Sequence, residues 1–156
     1  MERWSPNRSS RGGRAVDTII LHATASDSLA GAVAWFLDPK SRVSAHYVIG
    51  KAGEVVKLVP LSETAWHAGR SLHPVGGGLV NGRSVGIELV NRNDGKDPYP
   101  AAQLAAVRRL VAEIRSALSI RYLYSHARVA VPRGRKTDPA GLNCRALAAE
   151  LGLEGA

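Results

Sequence analysis

The chain has 156 residues, one cysteine and a net charge of +8 at pH 7. That length fits one domain able to bury a core without cross-links; the lone Cys144 excludes an internal disulfide, and no apolar run reaches the roughly 18 residues of a membrane span. The charge bears on partners and not on fold: nucleic acid, an anionic membrane and the anionic bacterial cell wall suit it, as does a surface merely rich in arginine. Nucleic acid is not expected, because no aromatic residues interleave with the arginines to stack on bases and no recognition helix is discernible.

Residues 1–14 combine Pro, Asn, Ser and Gly with Arg3, Arg8, Arg11 and Arg14. Such a composition has little to bury and predicts a flexible basic arm, leaving 15–156 as the folded domain. The arm has no apolar h-region, so it is not read as a secretory signal, and synthesis in the cytoplasm is expected. Val16 to Leu21 is nearly continuously apolar, as for a strand covered on both faces, and His22 follows at its carboxyl end. Turn and N-cap chemistry over Ala23–Asp27 leads into a short helix, Leu29 to Leu37, stopped by Asp38-Pro39.

Val43–Ile49 and Glu54–Val59, joined by Gly50-Lys51-Ala52-Gly53, read as a hairpin that sets His46 on one face with Ser44 and Val48. Pro60 to Gly82 reads as a long loop carrying Trp66-His67-Ala68-Gly69 and Gly76-Gly77-Gly78, of a length that is usually functional or mobile. Trp66 suits a core anchor or one wall of a ligand groove.

Ser84 to Val90 alternates, with Val85, Ile87 and Leu89 on one face and Gly86, Glu88 and Val90 on the other. An acid inside such a strand must be paired, hydrogen-bonded or employed, and the glycine beside it leaves space above the sheet. A polar loop, Asn91–Pro98, precedes an amphipathic helix from Pro100 to Leu118 with Leu104, Val107, Val111, Ile114 and Leu118 as its buried stripe. Ile120 to Ser125 is a further strand ending in His126, and Asn143 to Leu151 closes the chain as a helix capped by Gly152.

His22 and His126 both follow strands, and functional groups gather at the carboxyl edge of open α/β sheets. Asp138, twelve residues after His126, can fold back to complete a tripod. Two imidazoles and a carboxylate suit a catalytic zinc, which takes three protein ligands and keeps one position for water. Read singly, each histidine also suits a hydrogen-bonded structural role. Given a zinc, Glu88 suits a general base and Lys136 an oxyanion partner, although Glu88 also suits a salt bridge and Lys136 an exposed loop lysine. The set describes metal-assisted hydrolysis of an amide or ester.

Five ordered stretches carry a resemblance: Ile19-Ile20-Leu21-His22-Ala23-Thr24, Ser44-Ala45-His46-Tyr47-Val48-Ile49, Ala65-Trp66-His67-Ala68-Gly69, Ser84-Val85-Gly86-Ile87-Glu88-Leu89 and Gly134-Arg135-Lys136-Thr137-Asp138-Pro139. In this order they resemble the type 2 N-acetylmuramoyl-L-alanine amidases, with phage lysozyme-type amidases and peptidoglycan recognition proteins. The resemblance implies an α/β single domain with a central mixed β-sheet flanked by helices and a zinc site in a surface groove. It implies cleavage of the amide between N-acetylmuramic acid and L-alanine of peptidoglycan. It makes His22, His126 and Asp138 the Zn2+ ligands, Glu88 and Lys136 the catalytic pair, and Trp66, His67, Ala68 and Gly69 the lining of the substrate groove, with His46, near the metal site, also counted among the substrate contacts.

Two departures matter: Ala45 stands where phage members often carry a catalytic tyrosine, and Asp138 where many relatives use cysteine. Both move the chain toward the branch that relies on glutamate. A phage or prophage-type lysin or cell-wall hydrolase, whose basic arm contacts anionic wall or membrane after release, is the leading role. A cytoplasmic recycler of anhydromuropeptides and a non-catalytic peptidoglycan-binding module are the alternatives.

Overall fold

The apolar runs pair into a five-stranded mixed sheet in the computed structural model, which describes residues 4–155. Strands β1 (Arg8–Ser10), β2 (Thr18–Ala23), β3 (Tyr47–Ile49), β4 (Val55–Lys57), β5 (Glu63–Ala65), β6 (Ser84–Leu89) and β7 (Tyr122–Ser125) accompany helices α1 (Leu29–Leu37), α2 (Ala101–Ala117), α3 (His126–Val129, one turn) and α4 (Cys144–Glu150). The sheet runs β4-β3-β6-β2-β7: β2 is parallel to β6 and β7, β3 is parallel to β6, and edge strand β4 is antiparallel to β3. β1 and β5 form a separate antiparallel pair.

Every residue of β2 and of β6 is buried, as central parallel strands require. Their alternate side chains serve two layers. Ile19, Leu21, Val85, Ile87 and Leu89 pack with Val107, Leu110, Val111 and Ile114 of α2 and Leu147 of α4. On the other face Ile20 joins Ala68, Val80 and Tyr124, while Val48 and Val90 meet Ala32 and Phe36 of α1. Each buried aliphatic side chain contributes about 1.5–3 kcal/mol, and a one-residue slip would exchange the layers. Two-sided burial therefore fixes the register on which the site depends.

The elements differ from expectation in three places. The buried stripe of α2 is Gln103, Ala106, Val107, Leu110, Val111 and Ile114, with Leu104 and Leu118 half-buried. Gln103 is drawn inward because its Nε2 donates to the carbonyls of Ile49 at 3.0 Å and Val90 at 3.1 Å. His22 lies within β2 rather than after it, and His126 opens α3, capped by Ser125, whose hydroxyl accepts from the Arg128 amide at 3.1 Å.

The third difference is the predicted flexible arm. Residues 1–3 lie outside the described residues, but from residue 4 onward the segment is built into the fold. Ser5, Asn7 and Arg11 are buried, and β1 pairs with β5 inside the stretch expected to be a loop. Ser5 Oγ donates to the Phe36 carbonyl at 2.5 Å, and Asn7 Nδ2 to the carbonyls of Asp38 and Val43, each at 2.9 Å. Arg11 donates to the carbonyls of Leu61 at 2.8 Å and of Gly82 and Ser84, each at 3.1 Å. Polar side chains tie this segment down, and a count of apolar residues misses them.

Candidate metal centre and active site

Because β2, β6 and β7 are parallel, their carboxyl ends share one edge. The register pairs His22 with Glu88 across β2 and β6, and Leu21 with Ser125 across β2 and β7, so His126 follows at the level of His22. Asp138 arrives from the loop after α3. The Ala127 amide donates to the Asp138 carbonyl at 2.9 Å. Asn93 clamps the same loop: its Oδ1 accepts from the Ala140 amide at 2.7 Å and its Nδ2 donates to Thr137 Oγ1 at 3.1 Å. Nothing in the polar run Asn91–Pro98 singled Asn93 out, since its use depends on a partner loop some forty residues away.

The three groups meet closely. Asp138 Oδ2 lies 3.0 Å from His126 Nδ1 and 3.3 Å from His22 Nδ1, and the ligand atoms all fall within 4.8 Å of one another. His126 Nε2 lies 3.0 Å from the Ala68 carbonyl, which can only accept, so the ring's proton belongs there. With Nε2 so committed, Nδ1 is the ring atom that faces the carboxylate. Burial lowers the pKa of His22 to about 4, with the Asp138 hydrogen bond opposing, so this ring is held neutral with a lone pair to offer. Such a convergence of acceptors is stable when a cation lies among them. A divalent ion meets that requirement for all three atoms at once, and neutral imidazoles held from behind by hydrogen bonds are what such ions take. His22, His126 and Asp138 therefore fit a metal.

Glu88 stands beside this cluster. It is buried, and its Oε2 finds no hydrogen-bond partner among the described residues. Burial, then the charge of Asp138, push its pKa up to about 8, with Lys136 opposing. Lys136 is exposed on the rim of a groove of about 440 Å3 that His22, Trp66, Glu88, His126 and Asp138 also line. The arrangement brings together three groups that could hold a metal, a carboxyl able to exchange a proton near neutral pH, and a cation.

The stretch Trp66-His67-Ala68-Gly69 divides in its duties. Trp66 is a wall of the groove, with its Nε1 donating to Ser9 Oγ at 3.1 Å. His67 and Ala68 are buried and hold the imidazoles from behind: His67 Nδ1 lies 2.9 Å from His22 Nε2, and the Ala68 carbonyl receives His126. Burial, reinforced by the neighbouring His22, keeps His67 well below the ordinary histidine pKa. Gly69 adopts φ +54° and does not line this groove; it lines a smaller neighbouring pocket with Arg135 and Lys136. His46, expected among the substrate contacts, is fully buried away from the groove. Its Nδ1 accepts from the Gly86 amide at 3.0 Å, and its Nε2 lies 3.0 Å from the Glu63 carbonyl and 2.9 Å from Arg11 Nη2. It ties β5 and the N-terminal segment to β6.

A profile of the N-acetylmuramoyl-L-alanine amidase family matches residues 12–141. N-acetylmuramoyl-L-alanine amidase A of Achromobacter lyticus is 33% identical over 115 residues, covering 71% of this chain and 59% of that protein. The 1,6-anhydro-N-acetylmuramyl-L-alanine amidase AmpD of Escherichia coli K12 is 40% identical over 103 residues, covering 63% of this chain and 52% of that one. The chain thus spans between half and three-fifths of the length of these relatives. Among solved structures, the amidase AmiD of E. coli, in complex with its substrate anhydro-N-acetylmuramic acid-L-Ala-D-gamma-Glu-L-Lys, superposes with a TM-score of 0.77 at 29% identity, covering 99% of this chain and 62% of that one. Profile, relatives and fold agree, and the chain belongs to the N-acetylmuramoyl-L-alanine amidase family.

Proposed function

We propose that the chain is a zinc-dependent amidase that hydrolyses the bond between N-acetylmuramic acid and the L-alanine of peptidoglycan or its fragments. The observation that carries this reading is the convergence of His22 Nδ1, His126 Nδ1 and Asp138 Oδ2 beside the unpartnered Oε2 of Glu88. These three side chains would hold the ion. When bound, Zn2+ supplies Lewis-acid chemistry, polarising a carbonyl and lowering the pKa of water. Glu88 takes a proton from the attacking water and returns it to the alanine nitrogen as the C–N bond breaks. Its raised pKa suits both halves of that exchange. The Lys136 ammonium stabilises the charge that develops on the carbonyl oxygen. Trp66 offers an apolar wall to the sugar or the first peptide residue.

The relatives named for 1,6-anhydro-N-acetylmuramyl substrates favour a soluble anhydromuropeptide, and with it a recycling role in the cytoplasm. The net charge of +8 favours a second reading, a lysin or cell-wall hydrolase attracted to an anionic wall or membrane. Of the described arginines in the N-terminal segment, Arg8 is paired with Glu63 and Arg11 is buried, so Arg14 is the one exposed for that attraction.

Incubating the purified chain with an anhydro-N-acetylmuramyl peptide and, separately, with whole sacculi, and scoring new N-terminal alanine, tests the proposal. Release that stops with a chelator and returns with Zn2+ is expected. Release from neither substrate contradicts the hydrolase and leaves a binding module; the preferred substrate separates recycler from lysin.

A further inference from the structure

Ser84, Gly86 and Glu88 are alternate residues of β6 and share one face. Glu88 reaches the groove. Gly86 leaves the room that the His67 ring occupies, since a Cβ there would lie 2.4 Å from the ring. Ser84 meets the far side of that ring, with Oγ 3.0 Å from His67 Nε2. The serine's one hydroxyl proton is committed to the Val80 carbonyl at 2.7 Å, which can only accept. Ser84 must therefore accept from His67, which places the His67 proton on Nε2 and leaves Nδ1 as an acceptor. His22 Nε2, 2.9 Å away, then donates to it, so the lone pair of His22 sits on Nδ1, the atom that faces His126 and Asp138.

We infer that His67 and Ser84 are positioning residues that set the tautomer of His22 through a directed chain of three hydrogen bonds ending on the Val80 carbonyl. The chain answers a need particular to His22. His126 lies at a strand end, where a backbone carbonyl, that of Ala68, is free to take its Nε2–H. His22 lies inside β2, between β6 and β7, where backbone carbonyls are used by the sheet, so a side chain must supply the acceptor. Backing of this kind typically governs metal affinity by 10–100-fold. The inference rests on the metal reading proposed above.

Zinc alone is the probe. With the dissociation constant read by competition against a chromogenic chelator, His67→Leu, which removes the acceptor, should weaken binding by about 10–100-fold. His67→Asn, whose Oδ1 can stand where Nδ1 stood, should restore most of it. Imidazole 15N spectra should place the His67 proton on Nε2 in the metal-free and zinc-loaded protein alike. Ser84→Ala, a change small enough to keep the fold, should add a population protonated at Nδ1. Equal zinc affinity in wild type, His67→Leu and His67→Asn, or a wild-type His67 protonated at Nδ1, overturns the inference. Because neither readout involves turnover, a protein that binds zinc with this pattern yet cleaves no amide contradicts the proposed function and leaves the chain of hydrogen bonds standing.

Discussion

His22 and Glu88 occupy one register position of the parallel β2–β6 pair, so a metal-ligand candidate and an unpartnered carboxyl are held side by side by the sheet's own ladder. Neither residue depends on a loop for its place. Geometry of this kind resists the small displacements that cost loop-borne sites their activity.

Glu88→Gln keeps the shape and removes the proton exchange, so amide cleavage should fall by about 10²–10⁴-fold while zinc content is unchanged. Steady-state rates with metal analysis of the same sample check this. Loss of zinc together with activity would place Glu88 among the ligands instead.

Lys136 makes no hydrogen bond among the described residues and lies exposed on the groove rim, as a solvated surface lysine would. If it stabilises developing charge, Lys136→Met should lower kcat by about 10²–10³-fold with little change in KM. An unchanged kcat would assign it to the surface.

Gly86 is expected to tolerate no side chain. Gly86→Ala drives a methyl to 2.4 Å from the His67 ring, and overpacking of this kind costs about 1–3 kcal/mol. A lower melting temperature accompanied by weaker zinc binding is the expected pair of results. Full zinc affinity in the variant would mean that the ring can shift without disturbing His22.

Legibility in the sequence followed how local each cause was. His22 ends a run of apolar β-formers, and Asp138 sits in the Lys136-Thr137-Asp138-Pro139 stretch, so both announce themselves. The alternation around Glu88 gives its face, and Gly86 reads as space above the sheet, although no neighbouring residue names the His67 ring that fills it. The duties of His67, Asn93 and Gln103 were not legible, because each answers a polar atom that the tertiary fold alone brings near. The same holds for the N-terminal segment, which composition marks as free and Arg11 ties down.

Arg11 accordingly offers a stability test. Arg11→Leu leaves the carbonyls of Leu61, Gly82 and Ser84 without this donor in a buried place and should cost about 3 kcal/mol. For a chain of this size that is a fall of roughly 6–12 °C in Tm, read by thermal unfolding. A freely moving arm would give no change.

The central claim is that two imidazoles and one carboxylate hold a single divalent ion. Anomalous diffraction at the zinc edge, from crystals of the purified protein grown with Zn2+, tests it most directly. One peak bounded by His22 Nδ1, His126 Nδ1 and Asp138 Oδ2 is the expected result; a zinc-supplied crystal with no peak there, or with the ion seated elsewhere, would contradict it.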